Sequence, residues 1–320
     1  MPDLTKTSTT DEAAAAQDEV VAGAPVSATP APGKPRSLWG DAWRDLRRNP
    51  LFVISALLIV VLLFVAAFPG MFTDANPETG DQAKHFLGKP ELGHFFQADW
   101  FGYDGTGRSI YARVLFGARN SIVVGVGVTL LVTLFGGLVG MLAGYFGGFW
   151  DSLLSRITDV FFGIPFLLGS MVVLNGFTDR TVWVVMGALA FLGWTQIARV
   201  MRGAVITTKH ADYVVAARAL GAGTKRILFR HILPNAVAPV IVVATIALGT
   251  YIVAESTLSY LGLGLGGGAI SWGGDISDGT QFIRNNPHVL LFPAGMLSIT
   301  VLAFIMMGDA VREALDPKLR

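Results

Sequence analysis

Few groups in this chain are placed to carry out a reaction. None of its 320 residues is cysteine, which excludes disulfides, thiolate metal sites and cysteine nucleophiles. The five histidines are scattered, an arrangement that argues against a metal cluster. A GxxxxGK[ST] phosphate loop is absent, and Gly223-Thr224-Lys225 has the wrong order for one; HExxH and GxSxG are absent too. The expectation is a chain that catalyses nothing by itself and binds no cofactor or metal of its own. What remains is isolated charges at the edges of apolar runs. Glu255 closes one such run, where a carboxylate must be hydrated or paired. It is either a functional group or a satisfied structural glutamate near the outer headgroups. Asp159 stands at another edge, either in a local salt bridge with Arg156 or in a gate.

The most distinctive stretch is Tyr213 to Asn235, YVVAARALGAGTKRILFRHILPN. Val214 to Leu220 favours a helix, Gly221 and Gly223 break it, and Lys225 to His231 starts a second. Pro234 is expected to stop that second helix and to suit the first turn of the next apolar segment. Small residues at Ala216, Ala217, Ala219 and Gly221 would let another protein approach the backbone closely, while Lys225, Arg226 and Arg230 could meet acids at its rim. The alternative is a generic helix-turn-helix between two membrane spans.

The elements that position these residues are membrane spans. Hydrophobic residues make up 52% of the chain, charged ones only 15%, and the mean hydropathy is +0.55. That composition marks an integral membrane protein rather than a soluble domain. A net charge of +1 gives no ground for nucleic-acid binding. Residues 1–37 are rich in Ala, Thr, Pro and acids, and read as a disordered cytoplasmic tail without a signal peptide. Residues 38–72 combine an interfacial segment, with Trp39 and Trp43 beside Arg44, Arg47 and Arg48, and a first span from Leu51 to Phe72. Residues 73–119 are expected outside, with Ser109 to Phe116 as a short amphipathic helix on the outer face. Its arginines would pair with Asp99 or Asp104, or reach lipid phosphate.

Further spans are expected over Asn120 to Trp150, Val160 to Thr178, Thr181 to Ala198, Ile232 to Ala254 and Val289 to Gly308, with Asp151 to Asp159 as a short cytoplasmic turn. Pro165 interrupts the ladder near the start of the third. Gly136, Gly140, Gly144 and Gly148 recur every four residues, a smooth stripe suited to close helix packing or, alternatively, to a ligand path. From Arg199 to His231 there are seven basic residues against one acid, which puts that loop, and with it both termini, on the cytoplasmic side. Residues 313–320 form the cytoplasmic end.

Ala216, Ala217, Gly221, His231, Leu233 and Pro234 fit the pattern Glu-Ala-Ala, Gly after three residues, then His-x-Leu-Pro. The stretch resembles the cytoplasmic coupling loop of ABC-importer permeases, with Val215 where that family commonly has Glu. Four further runs resemble the dipeptide/oligopeptide/nickel branch of the family. One includes Asp104, Arg108, Arg113 and Arg119, with Tyr103 and Ser109 departing. The second includes Gly144, Asp151, Arg156, Asp159 and Pro165, and the third includes Gly308, Asp309, Arg312, Asp316 and Pro317. Gly262 to Gly268 and Trp272 resemble its "LSFLGLG…WG" run.

The resemblance implies an all-α integral membrane protein with six transmembrane helices, a five-helix permease core over 120–312 and cytoplasmic coupling helices in a loop over 199–233. It implies a C-type subunit that imports di- or oligopeptides by alternating access. Expected partners are a second homologous permease, two ATP-binding subunits or domains holding ATP and Mg2+, and an extracellular or lipid-anchored substrate-binding protein. Peptide and membrane lipid complete the set, with no nucleic acid. The ATPase-docking residues would be Val215, Ala216, Ala217, Gly221, Ala222, Lys225, Arg226, His231, Leu233 and Pro234, and the gate or pathway candidates Asp159, Pro165 and Glu255. Two alternatives stand: the same class of importer for nickel chelates or another small solute, and a stand-alone carrier or channel. The second would be expected to carry intramembrane ion-coupling carboxylates or a selectivity ring, whereas the spans read as nearly free of charge, with Glu255 and Asp159 at their edges.

Overall fold

The computed structural model describes residues 38–315. The tail expected over 1–37, the Trp39 side chain and residues 316–320 lie outside what it describes. Helix α1 (Leu38–Arg48) carries Trp43, whose ring lies 4.6 Å from the Arg47 guanidinium. Asn49 then caps α2 (Pro50–Ala67), accepting from the Leu51 N–H at 2.9 Å, with Pro at the first helical position. Its Nδ2 donates to Glu313 at 2.9 Å, tying the start of α2 to the far end of the chain. A 3-10 turn (Pro69–Met71) and the four-residue α3 (Gln82–His85) lead into a long connection.

Helix α4 (Ile110–Phe146) is followed by α5 (Gly148–Phe162) and α6 (Phe166–Asn175). Then come α7 (Val182–Thr208), α8 (Asp212–Ala219), the single turn α9 (Thr224–Arg226) and a π-helical segment (Ile227–Ile232). The chain ends with α10 (Leu233–Tyr260), α11 (Trp272–Thr280) and α12 (His288–Leu315). Five helical stretches are long and apolar enough to cross a membrane: α2, α4, α7, Thr224–Tyr260 and α12. A sixth crossing exists if α5 and α6, bent by 84°, count as one span.

The short turn expected over Asp151 to Asp159 is replaced by a helix, and the interruption expected at Pro165 is an 84° bend. Gly147 (φ +66°) ends α4 and the chain enters a fifteen-residue helix instead. Pro165 cannot donate a backbone hydrogen bond, so the ladder stops at Gly163 and restarts with Pro165 as the N-cap of α6. Pro234, by contrast, does not stop its helix. The ladder widens over Ile227–Ile232, Leu233 N–H donates to the Leu228 carbonyl, and the helix passes Pro234 without a break.

Three glycines explain the most extensive helix contact, between α4 and α7. A Cβ on Gly136 would overlap the Trp194 carbonyl, one on Gly140 the Ala198 carbonyl, and one on Gly144 would lie 2.8 Å from the Arg202 carbonyl. Backbones this close gain dispersion contact along the whole stripe, the main attraction available between helices in lipid. Gly148 is outside the stripe, with open space around it. The buried core then continues from Val124, Val128 and Val132 on α4 through Leu189 and Ile197 on α7 to Val240 and Leu258 on α10.

Candidate functional site

The α7–α10 connection carries the first candidate surface. Helix α7 runs to Thr208, so the loop expected from Arg199 begins at Lys209. Arg199 and Arg202 are helical, because Arg202 forms a bidentate pair with Asp151 (2.8 Å for Nη2) and Arg199 lies 3.9 Å from the Phe162 ring. Helix α8 is anchored by buried Val214, and the returning segment by buried Ile227, Leu228 and Ile232. Between these anchors the chain reverses at Gly221 (φ +83°), where the Ala222 N–H donates to the Ala217 carbonyl at 3.0 Å. A positive φ favours glycine over any L side chain.

Anchoring from below leaves an apolar top. Leu220 is 88% exposed, Phe229 59% and Val215 52%. They stand among exposed Ala216, Gly221, Lys225, Arg226, Arg230 and Pro234, with Ala217, Ala222, His231 and Leu233 half-buried. The sequence pattern identified the small and basic residues but missed Leu220 and Phe229. An amphipathic count along α8 places Leu220 one residue past the helix, where no period predicts its direction.

The gate candidates do not come together. Asp159 faces Arg199, at 3.5 Å, and not Arg156: α5 lies along α7 and carries it there. Pro165 lines a cavity of about 360 Å³ between α5, α6, α7 and α10, together with Phe162, Thr195, Gln196, Thr250 and Tyr251. Glu255 is neither at a span's end nor near solvent. It is fully buried in α10, which continues to Tyr260, and its carboxylate accepts from Ser121 Oγ (2.9 Å) on α4 and Ser259 Oγ (2.7 Å). Those hydroxyls meet the requirement that a buried carboxylate be hydrogen-bonded, inside the helix and not at the outer headgroups expected of a structural glutamate.

The arginine-rich segment before α4 is also rearranged. Ser109 caps α4 directly, so the residues expected to form a separate surface helix are its first two turns, buried from Ile110 to Leu115. Burial is tolerated because Arg113 is neutralised by Asp275 of α11 (Nε to Oδ1 2.8 Å) and also donates to the Pro77 carbonyl at 3.1 Å. The pairing expected with Asp104 is made by Arg108 and not by Arg113. Asp104 instead shapes its own turn, accepting from the Thr106 hydroxyl (2.7 Å), Arg108 N–H (2.9 Å) and Arg108 Nε (2.7 Å). Burial pushes the Asp104 carboxyl up, but these donors outweigh it and hold the group below its ordinary value. Arg119 is exposed on α4.

Removing one member of the buried pair leaves an uncompensated charge. Arg113→Ala is expected to destabilise the protein by about 3–5 kcal/mol. Arg113→Met combined with Asp275→Leu should recover most of that loss, and thermal melting in detergent compares the three.

The surroundings of one of the scattered histidines differ from the sequence expectation. His94 Nδ1 lies 2.8 Å from Asp99 and 3.1 Å from Glu91, so one histidine does sit with two carboxylates. The hydrogen bond and charge of Asp99 raise the His94 pKa above its ordinary 6.5. The folded loop therefore favours the protonated ring. That contribution is complete below pH 6.5 and fades as pH climbs through the raised value. Amide exchange over residues 91–100, corrected for intrinsic rate, is expected to show more opening above this range, and His94→Ala should remove the dependence.

The sequence of the chain is similar to that of known membrane proteins. Residues 136–320 match the model of the binding-protein-dependent transport system inner membrane component family, and residues 37–90 match the N-terminal transmembrane domain of oligopeptide transport permease C. The chain is 38% identical to an oligopeptide transport system permease of Bacillus subtilis (strain 168), over 90% of this chain and 92% of that one. It is 34% identical to a dipeptide transport system permease of Alkalihalophilus pseudofirmus, over 89% and 91%. Identity to a glutathione transport system permease of Escherichia coli O157:H7 is 36%, over 90% and 93%. One chain of a solved amino acid ABC transporter crystallised with histidines overlays with a TM-score of 0.47 at 15% identity, covering 62% of this chain and 91% of that one.

Proposed function

The chain belongs to the family of binding-protein-dependent transport system inner-membrane components, and from that premise we propose how it works. It is a permease subunit of a di- or oligopeptide importer, a multi-pass membrane protein that forms half of a translocation pathway and passes ATPase motion into it. The second half is a homologous permease. Two ATP-binding subunits or domains dock beneath the pair with their ATP and Mg2+, and a substrate-binding protein delivers peptide from outside.

The observation that carries this reading is the α7–α10 connection. An apolar residue as exposed as Leu220, flanked by small and basic residues and fixed by buried anchors, is a surface made for a partner. The basic excess over 199–231 supports a cytoplasmic side for the loop and, with α5 and α6 counted as one crossing, for both termini. Because α8 leads into α7 and the π-helical segment into α10, a push on the loop reaches both walls of the Pro165 cavity. Rocking of the two permeases against each other then opens that cavity alternately to each side.

Affinity purification in mild detergent from the native host tests the assembly. A second permease and ATP-binding subunits should co-purify, with ATP turnover stimulated by peptide-loaded binding protein. A chain that purifies alone and moves solute without ATP would contradict the reading.

A further inference from the structure

Three cavities line the face formed by α5 and α7, and their chemistry differs. One of about 210 Å³ contains Asp159, Arg199 and Arg202, whose charges are already engaged by ion pairs. A second, of about 520 Å³, is walled by apolar side chains such as Leu131, Phe135 and Phe191. The third, at Pro165, has no charged residue yet presents the Thr195, Gln196 and Thr250 side chains. It lies within two candidate spanning helices: Gln196 is roughly 20 Å from either end of α7, and Thr250 about 15 Å from the Tyr260 end of α10.

Several hydroxyls elsewhere in these spans turn back on their own helix. Thr245, Thr257 and Thr300 each donate to the carbonyl four residues earlier at 2.8 Å. Among the described residues Thr195, Gln196 and Thr250 make no such side-chain bond. Three open hydrogen-bonding groups within spanning helices would be costly against hydrocarbon, so the cavity they share is suited to water or a polar cargo. Gln196 supplies both donor and acceptor and each threonine supplies both through one oxygen, the complement of an amide.

We infer that the cavity walled by Thr195, Gln196, Thr250, Tyr251, Phe162 and Pro165 is this subunit's transit site for cargo, and that it grips the peptide backbone amide rather than its charged ends. The inference rests on the importer reading and adds where, and by which chemistry, the cargo is held. Its volume falls in the roughly 300–1,000 Å³ range of small-molecule sites. Tyr251 forms one wall rigidly: its hydroxyl donates to the Gly193 carbonyl at 3.2 Å, across the α7–α10 contact. With no fixed charge, the site holds every peptide weakly and alike, as conduction requires.

The absence of cysteine provides the test. Gln196→Cys, Thr250→Cys and the apolar-surface control Leu134→Cys, 71% exposed on α4, are made singly and the chain is purified with its partner subunits in nanodiscs. A water-soluble maleimide, followed on this chain by gel, requires thiolate and hence water. Labelling at 196 and 250 is expected to be about tenfold or more faster than at 134 in at least one nucleotide state, and slowed by peptide. In parallel, Gln196→Leu with Thr250→Val should raise KM about tenfold, equally for free peptides and for peptides with acetylated and amidated ends. Equal labelling at all three positions, or a KM change confined to peptides with charged ends, would overturn the inference. If partner ATPases co-purify while 196 and 250 stay unlabelled, this inference alone fails. If no partner co-purifies, the importer reading fails first.

Discussion

Leu220→Asp is expected to abolish peptide uptake while leaving the protein folded and inserted. Leu220 is 88% exposed, so its replacement costs the isolated chain almost nothing. At a docked interface it becomes an apolar anchor between small residues, and a buried unpaired carboxylate there is costly. A loss of about 3 kcal/mol, or roughly 100-fold in affinity for the ATPase, is the scale of such an anchor. Ala217→Arg acts by bulk at the docking face and should give the same outcome, while the backbone bond from the Ala222 N–H to the Ala217 carbonyl that closes the reversal is retained. Leu220→Met should retain most uptake, which separates side-chain character from mere change. The buried anchors Val214, Ile227, Leu228 and Ile232 are untouched in each variant, so melting temperature should not move. Normal uptake by Leu220→Asp would remove the loop from the coupling path.

Gly140→Leu is expected to prevent folding or cost about 3 kcal/mol or more. The atom that its Cβ would meet is a backbone carbonyl of Ala198 in the middle of α7, which cannot rotate away as a side chain would. Relief requires α4 and α7 to separate along the whole stripe, losing the contacts at Gly136 and Gly144 together. Gly203→Leu is the control: it is also a glycine in a span helix, with nothing within 4 Å of its Cβ position. Expression and melting of the two variants in detergent should differ sharply. If Gly140→Leu behaves like Gly203→Leu, the two helices are not held at the distance that the stripe sets.

The glycine periodicity and the apolar runs were legible because they are local: four-residue spacing defines a helix face, and run length defines a span. The reversal at Gly221 was legible for the same reason. Charge partners were not, because they join residues far apart in sequence. Arg113 meets Asp275 and Arg202 meets Asp151 only once α11 packs near α4 and α5 lies along α7. Glu255 was misplaced for a related cause: a carboxylate reads as a boundary in hydropathy, yet Ser121 on another helix satisfies it in the core. Proline also has two outcomes. At Pro165 the chain turns, whereas before Pro234 the ladder absorbs the missing donor through a wider turn. Local sequence states that a bond is lost and leaves open how the backbone responds.

Uptake of a radiolabelled dipeptide into liposomes bearing this chain, its partner permease and their ATPases would test the importer account as a whole. Accumulation is predicted to require ATP and loaded binding protein together, and to vanish with Leu220→Asp. Accumulation that persists without ATP, driven by an ion gradient through this chain alone, would contradict it.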